Sequence, residues 1–233
     1  MDSSISPRLT LDRQMQELQD DILLLGSMVE KAVLDSVQAL KKRDVNAARA
    51  VYKGDQLINE KRFEIENNCV AIIATQQPMA RDLRFLTSVL EINTELERMG
   101  DYAKGIARIG IMMGGEPPLK PLIDIPRMAE IATDMLHRAL QAFIEGDTER
   151  AYEIPKDDDQ VDDLYNQVNR ELVTFMISDP STIDRANYLM WTAHNLERMA
   201  DRVTNICERT IYIDTGVLNE LDVSDDEHNE IIE

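Results

Sequence analysis

The sequence predicts an all-α protein built as two tandem antiparallel three-helix bundles, six helices in all, that arose by internal duplication. Apolar residues recur at alternating spacings of three and four, which is the pattern of helices in a bundle, and strand patterns are nearly absent. A linker rich in glycine and proline, GGEPPLKP at residues 114–121, separates two halves of similar length. The segment LERMGD at 96–101 returns as LERMAD at 196–201, so the two halves read as copies.

The first half is predicted to hold three helices. Apolar positions spaced by three and four run from Leu11 to Leu40, and a second helix follows over residues 45–74. Pro78 ends that helix, because proline lacks a backbone N–H, and a third helix continues to about Met113.

The second half repeats this order. A fourth helix is predicted through residues 128–142 and is stopped by Gly146. A fifth helix is predicted over residues 148–177, up to the break at Pro180, and a sixth over residues 182–212. The predicted organisation is a first repeat (1–113), a linker (114–121), a second repeat (122–213) and an acidic C-terminal tail (214–233).

The charge of the chain limits its partners. The net charge of the 233 residues is -19, and residues 214–233 contribute eight acidic residues without a lysine or arginine. Nucleic acid is therefore not an expected partner, because neutralising phosphates requires a basic surface. The polar N-terminal segment and the absence of an apolar run of about 18 residues predict a cytoplasmic protein without direct membrane insertion.

The repeated segment carries a pair of carboxylates. Glu97 and Asp101 lie four residues apart, as do Glu197 and Asp201, and residues at i and i+4 share one helix face. Like charges in this arrangement destabilise a helix slightly, so a repeated pair indicates that something offsets the repulsion.

The preceding helix of each half carries a matching pair. Asp55 and Asn59 lie about as far before the turn near residue 77 as Glu97 and Asp101 lie after it. The same count around residue 179 places Asp158 and Asp162 at the height of Glu197 and Asp201. Two adjacent helices would therefore present four oxygen-bearing side chains at one height in each half.

Such clusters of hard oxygen ligands favour magnesium, calcium, manganese or iron. The carboxylates follow one position after apolar residues, which places them at the edge of the bundle and open to solvent. His194 is a possible additional ligand, and Asn205 and Glu208 are weaker candidates on the same broad face. The alternative is that these carboxylates form surface ion pairs with Arg98 and Arg198, which contribute about 0–1 kcal/mol each.

No catalytic arrangement stands out. Ferritin-like di-iron bundles need Glu-x-x-His on two helices, and only Asp134 and His137 have a loosely similar spacing. No glycine-rich phosphate loop and no Ser/His/Asp or Cys/His arrangement is evident, so we expect a protein that is not an enzyme.

Longer motifs resemble the PhoU family of bacterial phosphate-uptake regulators over roughly residues 8–213. The resemblance is carried by QPMARDLRFL (77–86), NTELERMGDYAKGIA (93–107), DQVDDLYNQVNRELVTFMISDP (159–180) and HNLERMADRVTNICE (194–208). It implies two three-helix bundles side by side, usually in a homodimer, with metal clusters bound by paired E(D)-x-x-x-D motifs. The positions that correspond are Asp55, Asn59, Glu97, Asp101, Asp158, Asp162, Glu197 and Asp201. Asn59 departs from the carboxylate form, so equal occupancy of the two sites is not expected.

The resemblance also implies a function. We expect a regulator that damps phosphate uptake and the phosphate-starvation response when phosphate is plentiful, by contacting the ATPase subunit of the phosphate ABC transporter and a membrane sensor histidine kinase. Iron is the expected metal, with manganese, magnesium and zinc as alternatives. A cluster-based phosphohydrolase and a purely structural helical adaptor are the alternative functions.

Overall fold

The computed structural model describes residues 7–221, and this part of the chain consists of helices and loops without a strand. The all-α class is confirmed. The predicted tail beyond residue 221 lies outside the described residues. The helices are α1 (Pro7–Lys42), α2 (Val45–Gln76), α3 (Arg81–Met113), α4 (Asp124–Glu145), α5 (Thr148–Glu153), α6 (Asp158–Ser178) and α7 (Ile183–Thr215).

Local chemistry explains the helix ends. Asp44 caps α2, since its carboxylate accepts hydrogen bonds from the backbone N–H groups of Asn46 and Ala47. Gly146 ends α4 with a left-handed φ of 67°, a conformation that glycine adopts without steric cost.

The fifth predicted helix is interrupted, so the prediction of one continuous helix over residues 148–177 is wrong in this detail. The segment Ile154–Asp157 forms a 3₁₀ turn between α5 and α6. Pro155 explains the break, because it donates no backbone hydrogen bond and its ring crowds the carbonyl four residues earlier. Ile154 remains fully buried, so the turn still packs on the core.

The two bundles share one core. Helices α1, α2 and α3 pack together, as do α4, α6 and α7, and the halves join where α1 meets α4 and α3 meets α7. Buried apolar residues from both halves form a single cluster.

Helices α3 and α7 run antiparallel along the junction between the halves. The Arg84 side chain, near the start of α3, donates to the Ile213 carbonyl near the end of α7. Nearer the middle, Arg202 pairs with Glu95 at 3.1 Å. Because these two helices are copies of each other, an approximate twofold axis relates the halves and their carboxylate pairs.

Candidate metal centres

Each half brings its two carboxylate-bearing helices side by side. Helix α2 carries Asp55 and Asn59 and packs against α3, and we call Asp55, Asn59, Glu97 and Asp101 the first centre. Helix α6 carries Asp158 and Asp162 and packs against α7, and we call Asp158, Asp162, Glu197 and Asp201 the second centre. Asp55 and Asp162 lie close enough to Glu97 and Glu197 to raise their pKa values, and the matched heights of the other side chains stay a prediction.

The first centre contains a lysine. Lys104 Nζ lies 2.6 Å from Asp55 Oδ2 and 3.7 Å from Asp101 Oδ1. Asn59 Nδ2 donates a hydrogen bond of 3.0 Å to the same Asp55 oxygen. Asp55 itself is buried, with 6% of its surface exposed. One carboxylate oxygen of this centre is therefore already engaged by an amine and an amide.

The pKa of Glu97 is raised by burial and by the negative charge of the first centre. Burial raises its pKa, and the negative charges of Asp101 and Asp55 raise it further, while Arg62 and Arg98 oppose the shift. The three carboxylates are therefore close enough to act on one another.

Gly100 allows α2 to approach α3 closely at the first centre. A Cβ atom at this position would lie 3.1 Å from the Ile58 side chain and 3.9 Å from Asp55 Oδ1. This contact gives a physical reason for the one residue that differs between LERMGD and LERMAD.

The second centre has a more perturbed glutamate. Burial, followed by the charges of Asp201 and Asp162, raises the pKa of Glu197 to about 7, and Arg198 only partly opposes this. Arg198 Nη1 lies 3.1 Å from Asp201 Oδ2, so the arginine forms its ion pair with Asp201 and not with Glu197.

One oxygen of Glu197 has no donor in hydrogen-bonding geometry among residues 7–221. This atom, Oε2, is buried, and His194 Nδ1 lies 3.2 Å away without completing a hydrogen bond. The ring of Tyr165 from α6 lies beside His194 at a centroid distance of 6.1 Å. A buried carboxylate oxygen that lacks a donor fits a cation ligand, because burying such a group otherwise costs free energy.

The carboxylates of the two centres on α3 and α7 are partly exposed, as expected for the edge of the bundle. Asp101 keeps 53% of its side chain exposed, and Asp201 and Glu197 keep 30% and 21%. Solvent therefore reaches these three carboxylates, whereas Asp55 in the first centre is buried.

Across residues 7–221, no three histidine, cysteine, aspartate or glutamate side chains are already gathered as a bound ion would hold them. The donor set nevertheless fits a hard cation, since all eight positions supply oxygen ligands and the Glu197 oxygen lies between charged neighbours. Metal binding at these residues therefore stays a prediction.

The sequence reasoning missed Lys104. Its spacing from Asp101, three residues on, places it on the same helix face and was the available signal. The corresponding position one hundred residues later is Thr204, which cannot supply a positive charge. The two centres therefore differ in charge although their motifs match.

Comparison with known proteins identifies the family. The family model described as "PhoU domain" matches residues 22–110 and 125–210. The chain belongs to the PhoU family. A protein named phosphate-specific transport system accessory protein PhoU homolog, from Clostridium acetobutylicum, is 37% identical over 94% of this chain and 99% of its own length.

Two further comparisons agree. A homolog of the same name from Aquifex aeolicus is 38% identical over 89% of this chain and 94% of its own length. The crystal structure of PhoU from Pseudomonas aeruginosa superposes with a TM-score of 0.83 at 34% identity, covering 88% of this chain and 99% of that chain. The predicted family and fold are confirmed. In addition, no helix within residues 7–221 is long and apolar enough to cross a membrane.

Proposed function

We propose that this PhoU-family protein regulates phosphate uptake and phosphate homeostasis. In this proposal it damps the phosphate ABC transporter and the phosphate-starvation two-component response when phosphate is plentiful. The observation that carries the proposal is the near-complete alignment with relatives named phosphate-specific transport system accessory proteins. Its partners would be the ATPase subunit of the transporter and a membrane sensor histidine kinase, contacted by a cytoplasmic homodimer.

The metal is the second part of the proposal. The first and second centres would hold divalent or trivalent ions, with iron expected first and manganese, magnesium and zinc as alternatives. A bound ion would supply positive charge at the solvent-exposed edge of each helix pair, where the carboxylates now repel one another. The second centre is favoured because it has four carboxylates and lacks a lysine at the position of Lys104.

We propose no catalytic role. Cys69 and Cys207 are buried, and burial raises the pKa of each thiol to about 12, so neither is an available nucleophile. If the protein were a phosphohydrolase, metal-loaded protein would hydrolyse phosphate esters. If it is a regulator, its hydrolysis rate should not exceed that of the same protein after chelation and dialysis.

The regulatory role is tested by phosphate uptake in the native host. We expect deletion of the gene to raise uptake of labelled phosphate several-fold in phosphate-rich medium, and the wild-type gene to restore the low rate. A reporter of the starvation response in the same cells would separate the transporter branch from the kinase branch. Unchanged uptake and reporter activity after deletion would contradict the proposal.

The role of the metal needs a separate experiment. Purified protein, with and without chelator treatment, would be tested for binding to the transporter ATPase subunit. We expect binding to fall at least tenfold without metal and to recover when iron or manganese is restored. Equal binding by both samples would assign the metal to stability alone.

A further inference from the structure

A groove of about 480 Å³ lies between α1 and α2, and we call it the α1–α2 groove. Five of its lining residues are small: Ala32 and Ala39 on α1, and Ala47, Ala50 and Gly54 on α2. The lining extends from Met28 to Lys42 along α1, which is about 21 Å, or nearly four turns, at a rise of about 1.5 Å per residue. Small side chains on neighbouring helices leave room for a third helix to approach, since helix axes pack about 8–10 Å apart.

Gly54 shows that the space is open. A Cβ atom built at Gly54 would have no neighbouring atom within 4 Å, whereas one at Gly100 would press on Ile58 at 3.1 Å. Glycine in a helix costs about 1 kcal/mol relative to alanine, and no contact within the described residues requires it at position 54. The missing side chain therefore keeps the groove open.

The two ends of the groove differ in chemistry. At one end Leu57 keeps 60% of its surface exposed, which leaves a large apolar side chain without a cover. At the other end, the last turn of α1 and the residue after it hold Lys41, Lys42 and Arg43, of which Lys42 lines the groove, and Arg49 and Lys53 follow along α2. All five are exposed, and Asp44 is the one acidic residue in 41–53, in a chain whose net charge is -19.

These basic residues are available to a partner. Among the ion pairs formed within residues 7–221, none involves any of the five. The two acidic residues that line the groove are already engaged, because Asp35 pairs with Lys31 and Asp44 caps α2. The basic end therefore attracts negative charge from outside the chain.

We propose that the α1–α2 groove binds an amphipathic helix of a partner protein. The apolar face of that helix lies along the groove and over Leu57, and its acidic end lies against the basic turn between α1 and α2. Helices recognised in this way present apolar residues at i, i+3, i+4 and i+7. None of the eight metal-centre side chains lines the groove, although Gly54, Leu57 and Ile58 are neighbours of Asp55 and Asn59 along α2. The proposal does not rest on the proposed function.

The test uses a synthetic peptide and the full-length protein. The probe is an 18-residue helical peptide, labelled with fluorescein, that carries leucines at i, i+3, i+4 and i+7 and three glutamates at one end. We expect fluorescence anisotropy to show saturable binding that falls at least tenfold for Gly54→Leu. Gly115→Leu is the matched control, since Gly115 also has open space around it but lies in the linker. Binding by this variant should equal that of the wild type.

A second experiment tests the positive charge of the turn between α1 and α2. A peptide with lysines in place of the three glutamates should bind at least fivefold more weakly to the wild type, and Arg49→Glu should remove that preference. Thermal unfolding checks that each variant is folded, and Ala50→Leu, at an exposed groove position, replaces Gly54→Leu if that variant is not.

Three results would overturn the proposal. The first is equal peptide binding by folded wild type and Gly54→Leu. The second is a wild-type dimer in sedimentation that Gly54→Leu dissociates, because a second copy would then occupy the groove. The third is tighter peptide binding after removal of residues 222–233, because the acidic end of the chain itself would then be the occupant.

Discussion

The two halves of the protein share a helical frame but neutralise their carboxylates differently. In the first half Lys104 contacts Asp55 and Asn59 supplies an amide, so the protein itself provides part of the positive charge. In the second half Thr204 and Asp162 stand at the corresponding positions, and the pKa of Glu197 rises to about 7. A duplicated motif therefore does not define equivalent sites, because a residue one turn away changes the charge that a cation meets.

The largest expected effect comes from removing the central glutamate of the second centre. Glu197→Ala should lower metal affinity there by about 100-fold or more, since loss of groups that merely support a ligand already costs about 10–100-fold. Elemental analysis and titration calorimetry with manganese would measure this. Glu97→Ala is the matched variant in the first centre and should cause a smaller loss. Equal losses in the two variants would contradict the difference between the halves.

Lys104→Thr should make the first centre resemble the second. Removing the ammonium group from Asp55 eliminates repulsion against a bound cation, and we expect affinity at the first centre to rise about tenfold, or about 1.4 kcal/mol. Lys53→Thr, which removes an exposed lysine of α2, is the control and should leave affinity unchanged. A fall in affinity for Lys104→Thr would indicate that the lysine helps to organise the centre.

The pH dependence of stability should also distinguish the halves. The folded-state pKa of Glu197 is raised from 4.5 to about 7, so the folded protein binds this proton more tightly than the unfolded chain does. Metal-free protein should therefore lose stability as the pH rises from about 4.5 to about 7, by about 1 kcal/mol after allowance for solvent screening.

Urea unfolding in chelator at pH 5 and pH 8 would measure that loss. Glu197→Gln should lack it, because the amide does not ionise, and added metal should reverse the ranking of the two proteins at pH 8. An identical pH dependence for wild type and Glu197→Gln would show that Glu197 is not perturbed in solution.

The smallest expected effects come from exchanging the residue that differs between the repeated segments. Gly100→Ala adds a methyl group 3.1 Å from Ile58, and the gain in helix propensity of about 1 kcal/mol offsets much of the strain. We expect a net stability change below about 1 kcal/mol and a two- to threefold loss of affinity at the first centre. Ala200→Gly should cost about 1 kcal/mol by propensity alone and leave the second centre's affinity unchanged. Scanning calorimetry would measure the stability of the two variants, and titration calorimetry would measure their metal affinity.

Local sequence signals predicted most of the helices but missed the break at Pro155. The apolar spacing predicted α4 and Gly146 predicted its end, because helical periodicity and a left-handed glycine act within a few residues, although α4 begins at Asp124, four residues before the predicted start. Pro155 was present in the sequence but was not used as a break, so the fifth helix was predicted without its 3₁₀ turn. The pairing of α2 with α3 and of α6 with α7 followed from short turns.

The sequence by itself determined the all-α class and the duplication, and it predicted the heights of the eight oxygen-bearing side chains, because helix rise and turn position are local properties. Only the tertiary structure decided which oxygens are engaged. Lys104 pairs with Asp55 between α2 and α3, and one oxygen of Glu197 has no hydrogen-bond donor within residues 7–221. Burial and distance between helices set those charges, and neither quantity is contained in the spacing of residues along one helix.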